Sequence, residues 1–427
     1  MQAKILENYR FNFAVNALDA AFFGLGLGFA SFVTVIPLFV NSLTDSTTLI
    51  GIIASIQAVG WQLPQLLTSR RVASLRLYRP MVLSMTIHER WPFLGLAVVA
   101  VLIPIAGAPV ALALTVLMAA WQALGGGFTG TPWQAMIGKI MPEKRRGTFY
   151  GVQASGMSLL NGLGAIGAGI ILTEVAYPYN FALCFFIGAV AMAISYVFLR
   201  ATREPEVPVE EVVQERRPMW SSLWAILNRD GNFRWFLLVR MLTQFAIMAI
   251  SFYTIYGVRH FEMSEATAGF MTGLMAFVQV VGAPLAGWVG DRWGHRRVFA
   301  VGMIGMALSI FMALTAPELE WFYLVFALAG LTNSVLWTSI LSLTVEFGTE
   351  ADRPYYIGLA NTLIAPATLF APIIGGMLVD FSGFQATFLL ALGASVLAVL
   401  VLLGLLQDPR RLRAPAEVPL PVVVPGD

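Results

Sequence analysis

The sequence predicts an all-α polytopic membrane protein, with twelve transmembrane helices arranged as two pseudo-symmetric six-helix bundles. Three observations predict it. The composition is too apolar for water, twelve apolar runs are each long enough to cross a bilayer, and the basic residues crowd into alternate loops. Of the 427 residues, 58% are apolar and 12% are charged, with a mean hydropathy of +0.76. Soluble domains carry about 25% charged and about 45–50% apolar residues, and no single core could hide the excess. Lipid is the solvent that such a chain requires.

A spanning helix needs about 20 mostly apolar residues. In the first half such runs lie near residues 12–40, 47–69, 80–104, 109–137, 147–173 and 179–200. In the second half they lie near 232–257, 265–289, 297–316, 319–346, 354–379 and 384–406. The first run follows only Lys4 and Arg10 and shows no small-residue cleavage site, so it reads as an uncleaved helix. When the N-terminus, every second loop and the C-terminus share one side, that side holds all 26 Lys and Arg except Arg90, Arg240 and Arg259, which leaves 23. The positive-inside bias makes that side cytoplasmic, and both termini are expected there. Helix count and charge asymmetry support each other, because one miscounted helix would swap the side of every later loop.

The expected domains are a bundle over 1–200, a charged cytoplasmic linker over 201–231, a second bundle over 232–407 and a disordered Pro-rich tail over 408–427. Within the linker, Trp220–Leu227 has the pattern of a short amphipathic helix on the inner surface. The halves look repeated. Ser31 to Pro37 matches Ser251 to Gly257 at an offset of 220, as do Pro64 with Pro284 and Arg76 with Arg296. Glu143, Arg146 and Gly151 match Glu350, Arg353 and Gly358 at an offset of 207. Transporter folds are often built from such repeats, with the solute site where they meet.

Composition also excludes. A net charge of +2 does not suggest nucleic acid, and the single Cys184 precludes an internal disulfide or a Cys-based metal site. The three His, at 88, 260 and 295, lack metalloprotease spacing, so neither metal nor cofactor is expected. Gly24-x-Gly26-x-Gly28 follows no strand and is no nucleotide loop, and no Walker sequence occurs. No nucleophile–base set converges, which argues against an enzyme.

The loop after the eighth span reads Gly287-Trp-Val-Gly-Asp291-Arg292-Trp-Gly294-His-Arg296-Arg297. It resembles the Gly-x-x-x-Asp-Arg-x-Gly-x-Arg-Arg signature of the major facilitator superfamily. The resemblance implies two six-helix halves that rock about a midplane site. It also implies a conformational latch formed by Gly287, Asp291, Arg292, Gly294, Arg296 and Arg297 against the start of the fifth helix, near Arg146, Gly147 and Thr148. In physical terms, Gly287 allows close approach, Gly294 allows a tight turn, Asp291 suits a helix N-terminus and the arginines suit anionic headgroups. A plain basic loop is the alternative. The first-half counterpart, Leu67 to Arg76, has neither Asp nor Gly, so the latch is expected to be asymmetric. Gly162 to Gly169 in helix five and Ala371 to Gly376 in helix eleven resemble an antiporter stretch. Helix five has no Pro there, and close packing through small residues is the favoured reading.

Ionisable groups inside spans are costly and are candidates for function. Here they are Asp19, the run His88-Glu89-Arg90, and Arg240, taken together as a coupling network. A fixed Asp19–Arg90 salt bridge is the rival reading. The three adjacent residues point about 100° apart and cannot all face one site. In the family, helices one, four, seven and ten line the cavity, and polar stripes fall on those four. The candidate cavity set is Asn16, Asp19, Phe23, Gln122, Trp133, Arg240, Gln244, Tyr253, Asn333 and Trp337. Its aromatic content suits an amphipathic solute. The expected function is a monomeric secondary active transporter of a plasma membrane, the bacterial inner membrane type. It would move a small amphipathic solute by alternating access with proton coupling, and export is favoured. A nutrient importer and a non-transporting sensor or scaffold are the rivals.

Overall fold

The computed structural model describes residues 2–32, 34–44, 56–57, 59–206, 219–349 and 352–412. Residues 47–55 and 58 of the second expected span, Glu350, linker residues 207–218 and tail residues 413–427 lie outside the described residues. Every regular element described is helical. In the first half these are α1 (Gln2–Phe29), α2 (Val35–Asn41), α3 (Gln65–Ala73), α4 (Arg79–Ala106), α5 (Ala108–Ile140), a 3-10 turn at Glu143–Arg145, α6 (Arg146–Glu174) and α7 (Tyr179–Arg200). A short helix α8 (Met219–Arg229) lies in the linker, where the amphipathic pattern predicts one. The second half holds α9 (Gly231–Phe261), α10 (Glu265–Trp293), α11 (His295–Thr315), α12 (Trp321–Thr344), α13 (Arg353–Thr362), α14 (Ala365–Ser382), α15 (Phe384–Gly404) and α16 (Pro409–Leu412). Among the described residues, 11 helical stretches are long and apolar enough to cross a membrane.

Three expected spans are broken rather than continuous. The first stops at Phe29 and resumes at Val35 as α2, so that Pro37 falls in a first turn, where its missing N–H costs nothing. The second turns at Leu63-Pro64 before α3, and the eleventh breaks between α13 and α14, with Pro366 in the first turn of α14. The last two breaks face each other. Leu66 N–H donates to Thr362 Oγ1 at 3.1 Å, and the Thr362 hydroxyl donates to Gln62 O at 3.1 Å. Backbone groups freed by the kinks are thus satisfied across the molecule, as lipid-embedded backbone demands. Helix α9 also runs to Phe261, so Arg259 ends a helix instead of lying in a loop. The segment after Gln407, expected to be loose, begins as the docked turn α16.

Each half has its own apolar core. In the first it includes Phe39, Phe93, Phe185 and Met192; in the second it includes Phe236, Tyr253, Phe322 and Phe388. A third cluster lies at the end that carries the basic loops and joins the halves, with Val72, Met136 and Phe149 against Leu341, Val345 and Ile357. Large apolar side chains such as Ile105, Val197, Phe277 and Phe381 remain exposed. On a soluble protein such patches would mark an aggregating surface; here they are the lipid face.

The repeat is visible in the packing. Helix α6 runs along α10, and α3 runs along α13. Gly151 packs on Ala283 and Pro284, while Gly358 packs on Gln65 and Leu66, beside Pro64. Arg146 Nε donates to Met141 O and its Nη2 to Gly138 O, and Arg353 Nε donates to Val345 O at 3.2 Å. Each arginine therefore closes the carbonyl end of the preceding long helix, where its charge also meets the negative pole of the helix dipole. Lys139 and Glu346, again 207 apart, pair with Glu204 at 2.8 Å and Arg410 at 2.6 Å. The two ion pairs occupy the same place with opposite polarity.

Candidate functional site

The halves are fastened at the basic-loop end, where α10 meets the start of α6. Asp291 Oδ1 accepts from Gly147 N–H at 2.8 Å, and Oδ2 accepts from Thr148 N–H at 2.7 Å and the Thr148 hydroxyl at 2.6 Å. A carboxylate on two free N–H groups at a helix start gains charge-assisted bonds and the dipole together. The helices must nearly touch for this. A Cβ at Gly287 would collide with the Gly147 carbonyl, so both positions need glycine. Gly294 turns the chain at φ +91°, which favours glycine. Further along, the Ser155 hydroxyl donates to Val280 O at 2.6 Å. Toward the opposite end Gly162 and Gly169 of α6 and Gly273 of α10 face open space.

One arginine of this loop, Arg296, does different work from that expected. Arg292 stacks over the Trp288 ring at 3.6 Å and Arg297 is exposed. Arg296 does not face headgroups; it donates to Leu402 O at 2.8 Å and Leu403 O at 3.0 Å, closing the end of α15. Arg146 serves the carbonyls of α5 and the turn after it, while the backbone of Gly147 and Thr148 takes Asp291. His295 was not singled out by spacing. It is buried, and its Nε2 lies 3.3 Å from Asp291 Oδ1. Glu346 and Arg410 complete the cluster, with Arg410 Nη1 reaching Asp291 O at 3.5 Å. Burial pushes the Glu346 carboxyl above its usual range, while His295 and Arg410 pull the other way.

The intramembrane charges separate into two groups. Inside the first bundle, Arg90 Nη2 donates to Asp19 Oδ1 at 2.9 Å and to Ser195 Oγ at 2.9 Å, and Ser195 donates to the same oxygen at 2.6 Å. Glu89 Oε2 lies 3.7 Å from Arg90 Nη1 and accepts from Thr86 at 3.3 Å. Asp19 and Arg90 are 5% and 8% exposed, and their bonds to each other and to Ser195 tie α1, α4 and α7. Phe23 lies beneath the Arg90 guanidinium at 5.1 Å. His88 points elsewhere, accepting from exposed Trp121 at 3.2 Å, and leaves the network. Glu89 does approach α5: at Gly126 an added Cβ would come within 3.0 Å of Glu89 Oε1 and 2.9 Å of Trp61.

In the second bundle Arg240 Nη1 donates to Asn361 Oδ1 at 2.9 Å, and Asn361 Nδ2 donates to Gln65 Oε1 at 2.6 Å. This polar chain crosses from α9 through α13 to α3 and thus joins the halves. Gln65 is held by Nε2 on Trp61 O at 2.9 Å. The Trp61 and Trp337 rings lie 6.4 Å apart, and Trp337 is 50% exposed. Gln122 is buried with Oε1 unpaired, and Trp133, Gln244 and Asn333 are half-buried. Two expected cavity residues are corrected. Tyr253 is fully buried in the second core with its hydroxyl on Ser309, because ring packing against Phe326 and Phe388 claims it. Asn16 is buried against Thr202, tying α1 to the end of α7.

Fold and site together define a multi-pass membrane transporter built of two like bundles. The family model described as Major Facilitator Superfamily matches residues 83–262 and 254–424, and the chain belongs to that family. It is similar to the tetracenomycin C resistance and export protein of Streptomyces glaucescens, 31% identical over 130 residues, which cover 30% of this chain and 24% of that protein. It is also similar to the class E tetracycline resistance protein of Escherichia coli, 30% identical over 140 residues, covering 33% of this chain and 34% of that one. These matches thus span about a quarter to a third of those relatives. Among solved structures, the E. coli fucose:proton symporter FucP superposes with a TM-score of 0.74 at 14% identity, covering 92% of this chain and 98% of that one. That likeness is one of fold.

Proposed function

We propose that this chain is a monomeric, proton-coupled exporter of a small amphipathic solute, seated in a plasma membrane of the bacterial inner type. One observation carries the reading: two pseudo-symmetric halves are clasped at the basic-loop end by contacts that can come apart as a unit. Asp291 on Gly147 and Thr148, and Asn361 on Gln65, are hydrogen bonds with no covalent cost to opening. Positive-inside bias makes that end cytoplasmic, with both termini beside it. The state is then closed to the cytoplasm, and rocking of 1–200 against 232–407 about the linker opens it. Gln122, Trp133, Arg240, Gln244, Asn333 and Trp337 are the proposed solute contacts. Proton coupling is supported by Glu89. Two carboxylates share Arg90, and a proton on Glu89 restores balance in a low dielectric. The direction is supported by the names of the two curated relatives, one an export protein and one a resistance protein.

The test is flux. Purified protein in sealed proteoliposomes of known orientation, under an imposed proton gradient, is offered tetracycline, fucose, naphthoate and a quaternary ammonium dye. Gradient-driven movement of at least one, from the basic-loop side outward, is the expected result. Movement only in the opposite direction makes the chain an importer. No movement of any compound, in protein that remains folded, makes it a non-transporting sensor or scaffold.

A further inference from the structure

Arg240 differs from the other buried cations of this chain. Arg90 has Asp19, Lys139 has Glu204, and Arg146 and Arg353 close helix carbonyl ends. Arg240 is 5% exposed, yet among the described residues no carboxylate oxygen lies within 4.0 Å of its guanidinium. Its one hydrogen bond goes to a neutral amide, Asn361. That amide is oriented from outside. Gln65 Nε2 is held by Trp61 O, which turns Gln65 Oε1 toward Asn361 Nδ2, which in turn presents Asn361 Oδ1 to Arg240. The bond occupies Nη1 alone. Nε has no partner, and no bond is made by Nη2.

Nε and Nη2 form one edge of the guanidinium, the fork that fits two oxygens of a planar oxyanion. A neutral side chain at 240 could satisfy Asn361 equally well. The positive charge adds a desolvation cost that the resting structure offsets only through the Phe236 ring, 5.9 Å from the guanidinium. Arg240 itself stands where α9 meets α13 and, through Asn361, α3. Trp61 is one helical turn further from the basic-loop end, and half-exposed Trp337 is its ring neighbour. Aromatic faces beside a forked donor favour a flat, apolar body that ends in an acid.

We infer that Arg240 is the docking point for an acidic group on the transported solute, a carboxylate or similar planar oxyanion, with the apolar body against Trp61 and Trp337. This rests on the carrier reading above and names the class of its solute. Asn361 and Gln65 act as positioning residues that keep Nη1 engaged and the free edge open.

The experiment compares three near-isosteric probes, naphthoate, naphthamide and naphthylmethylamine, by thermal unfolding of the full-length protein in nanodiscs. The acid should stabilise at about a tenfold lower concentration than the amide, the difference expected for one charge-assisted fork. Arg240→Gln should abolish that preference, and Arg240→Lys should keep part of it. Equal stabilisation by amide or amine overturns the inference, as does an acid preference that survives Arg240→Gln or the absence of any shift with the acid. Should Arg240→Gln fail to fold, the wild-type comparison of acid with amide decides alone. The flux panel separates the two readings. If the dye moves and no acid binds, the carrier stands and the Arg240 inference falls; if nothing moves, the carrier reading itself falls.

Discussion

Asp19 and Glu89 share one arginine, and the unequal sharing assigns them different tasks. Asp19 holds Arg90 at 2.9 Å with Ser195 beside it, while Glu89 stands at 3.7 Å. Removing one partner of a buried ion pair costs about 3–5 kcal/mol. Asp19→Asn should fall at the low end of that range, because Glu89 remains near the buried Arg90 charge. The expected outcome is a clearly lower unfolding midpoint of the purified protein. Glu89→Gln should leave the midpoint near wild type and alter only the proton dependence of flux. The reverse pattern would make Glu89 the structural member. The sequence located these groups by their cost in lipid and offered Asp19 with Arg90 as the rival pairing, but it did not pair Arg240 with Asn361. Asp19 and Arg90 are 71 residues apart, and Arg240 and Asn361 are 121 apart. Hydropathy carries no such long-range information. The contacts of Asp291 with Gly147 and Thr148 were readable because one short motif and one helix start supply both sides.

At the scale of elements, hydropathy counted the spans well and described their backbones poorly. A run of apolar residues looks the same whether its helix continues or breaks. Pro37, Pro64 and Pro366 were the available signals for the three breaks. The docking of α16 was hidden for a related reason: a Pro-rich, charged tail reads as loose until a buried carboxylate claims one of its arginines. Glu346, 2% exposed, accepts from both Nε and Nη2 of Arg410. In the first half Lys139 and Glu204 make the mirror pair. The fold thus requires an ion pair at these positions and tolerates either polarity. Glu346→Lys and Arg410→Glu should each destabilise the protein by roughly 3 kcal/mol, through an unpaired buried charge. The double substitution should recover most of that loss. Expression yield and unfolding midpoint of the three variants check this, and a double variant no better than the singles would show that the site needs its present polarity.

For the molecule as a whole, the repeat was the most informative feature of the sequence. Offsets of 220 and 207 matched Pro64 with Pro284 and Gly151 with Gly358, and the structure packs each glycine beside the proline region of the opposite half. The two-bundle plan therefore needs no information beyond the chain itself. Comparing the repeats also predicted an asymmetric latch, since Leu67 to Arg76 has no Asp, but not what joins the halves in its place. Asp291 on one side faces a helix start, while on the other side neutral Gln65 and Asn361 join the halves. That division concentrates the reversible closure at one end, and the central claim is that this closure opens during transport. A Cβ at Gly358 would lie 3.1 Å from Ser69 Cβ, close to the range a disulfide bridges after slight adjustment. Ser69→Cys with Gly358→Cys, in a background with Cys184→Ala, should cross-link spontaneously under mild oxidation. The cross-linked protein should lose all flux in proteoliposomes and regain it on reduction. Full flux through the oxidised, fully cross-linked protein would contradict the account.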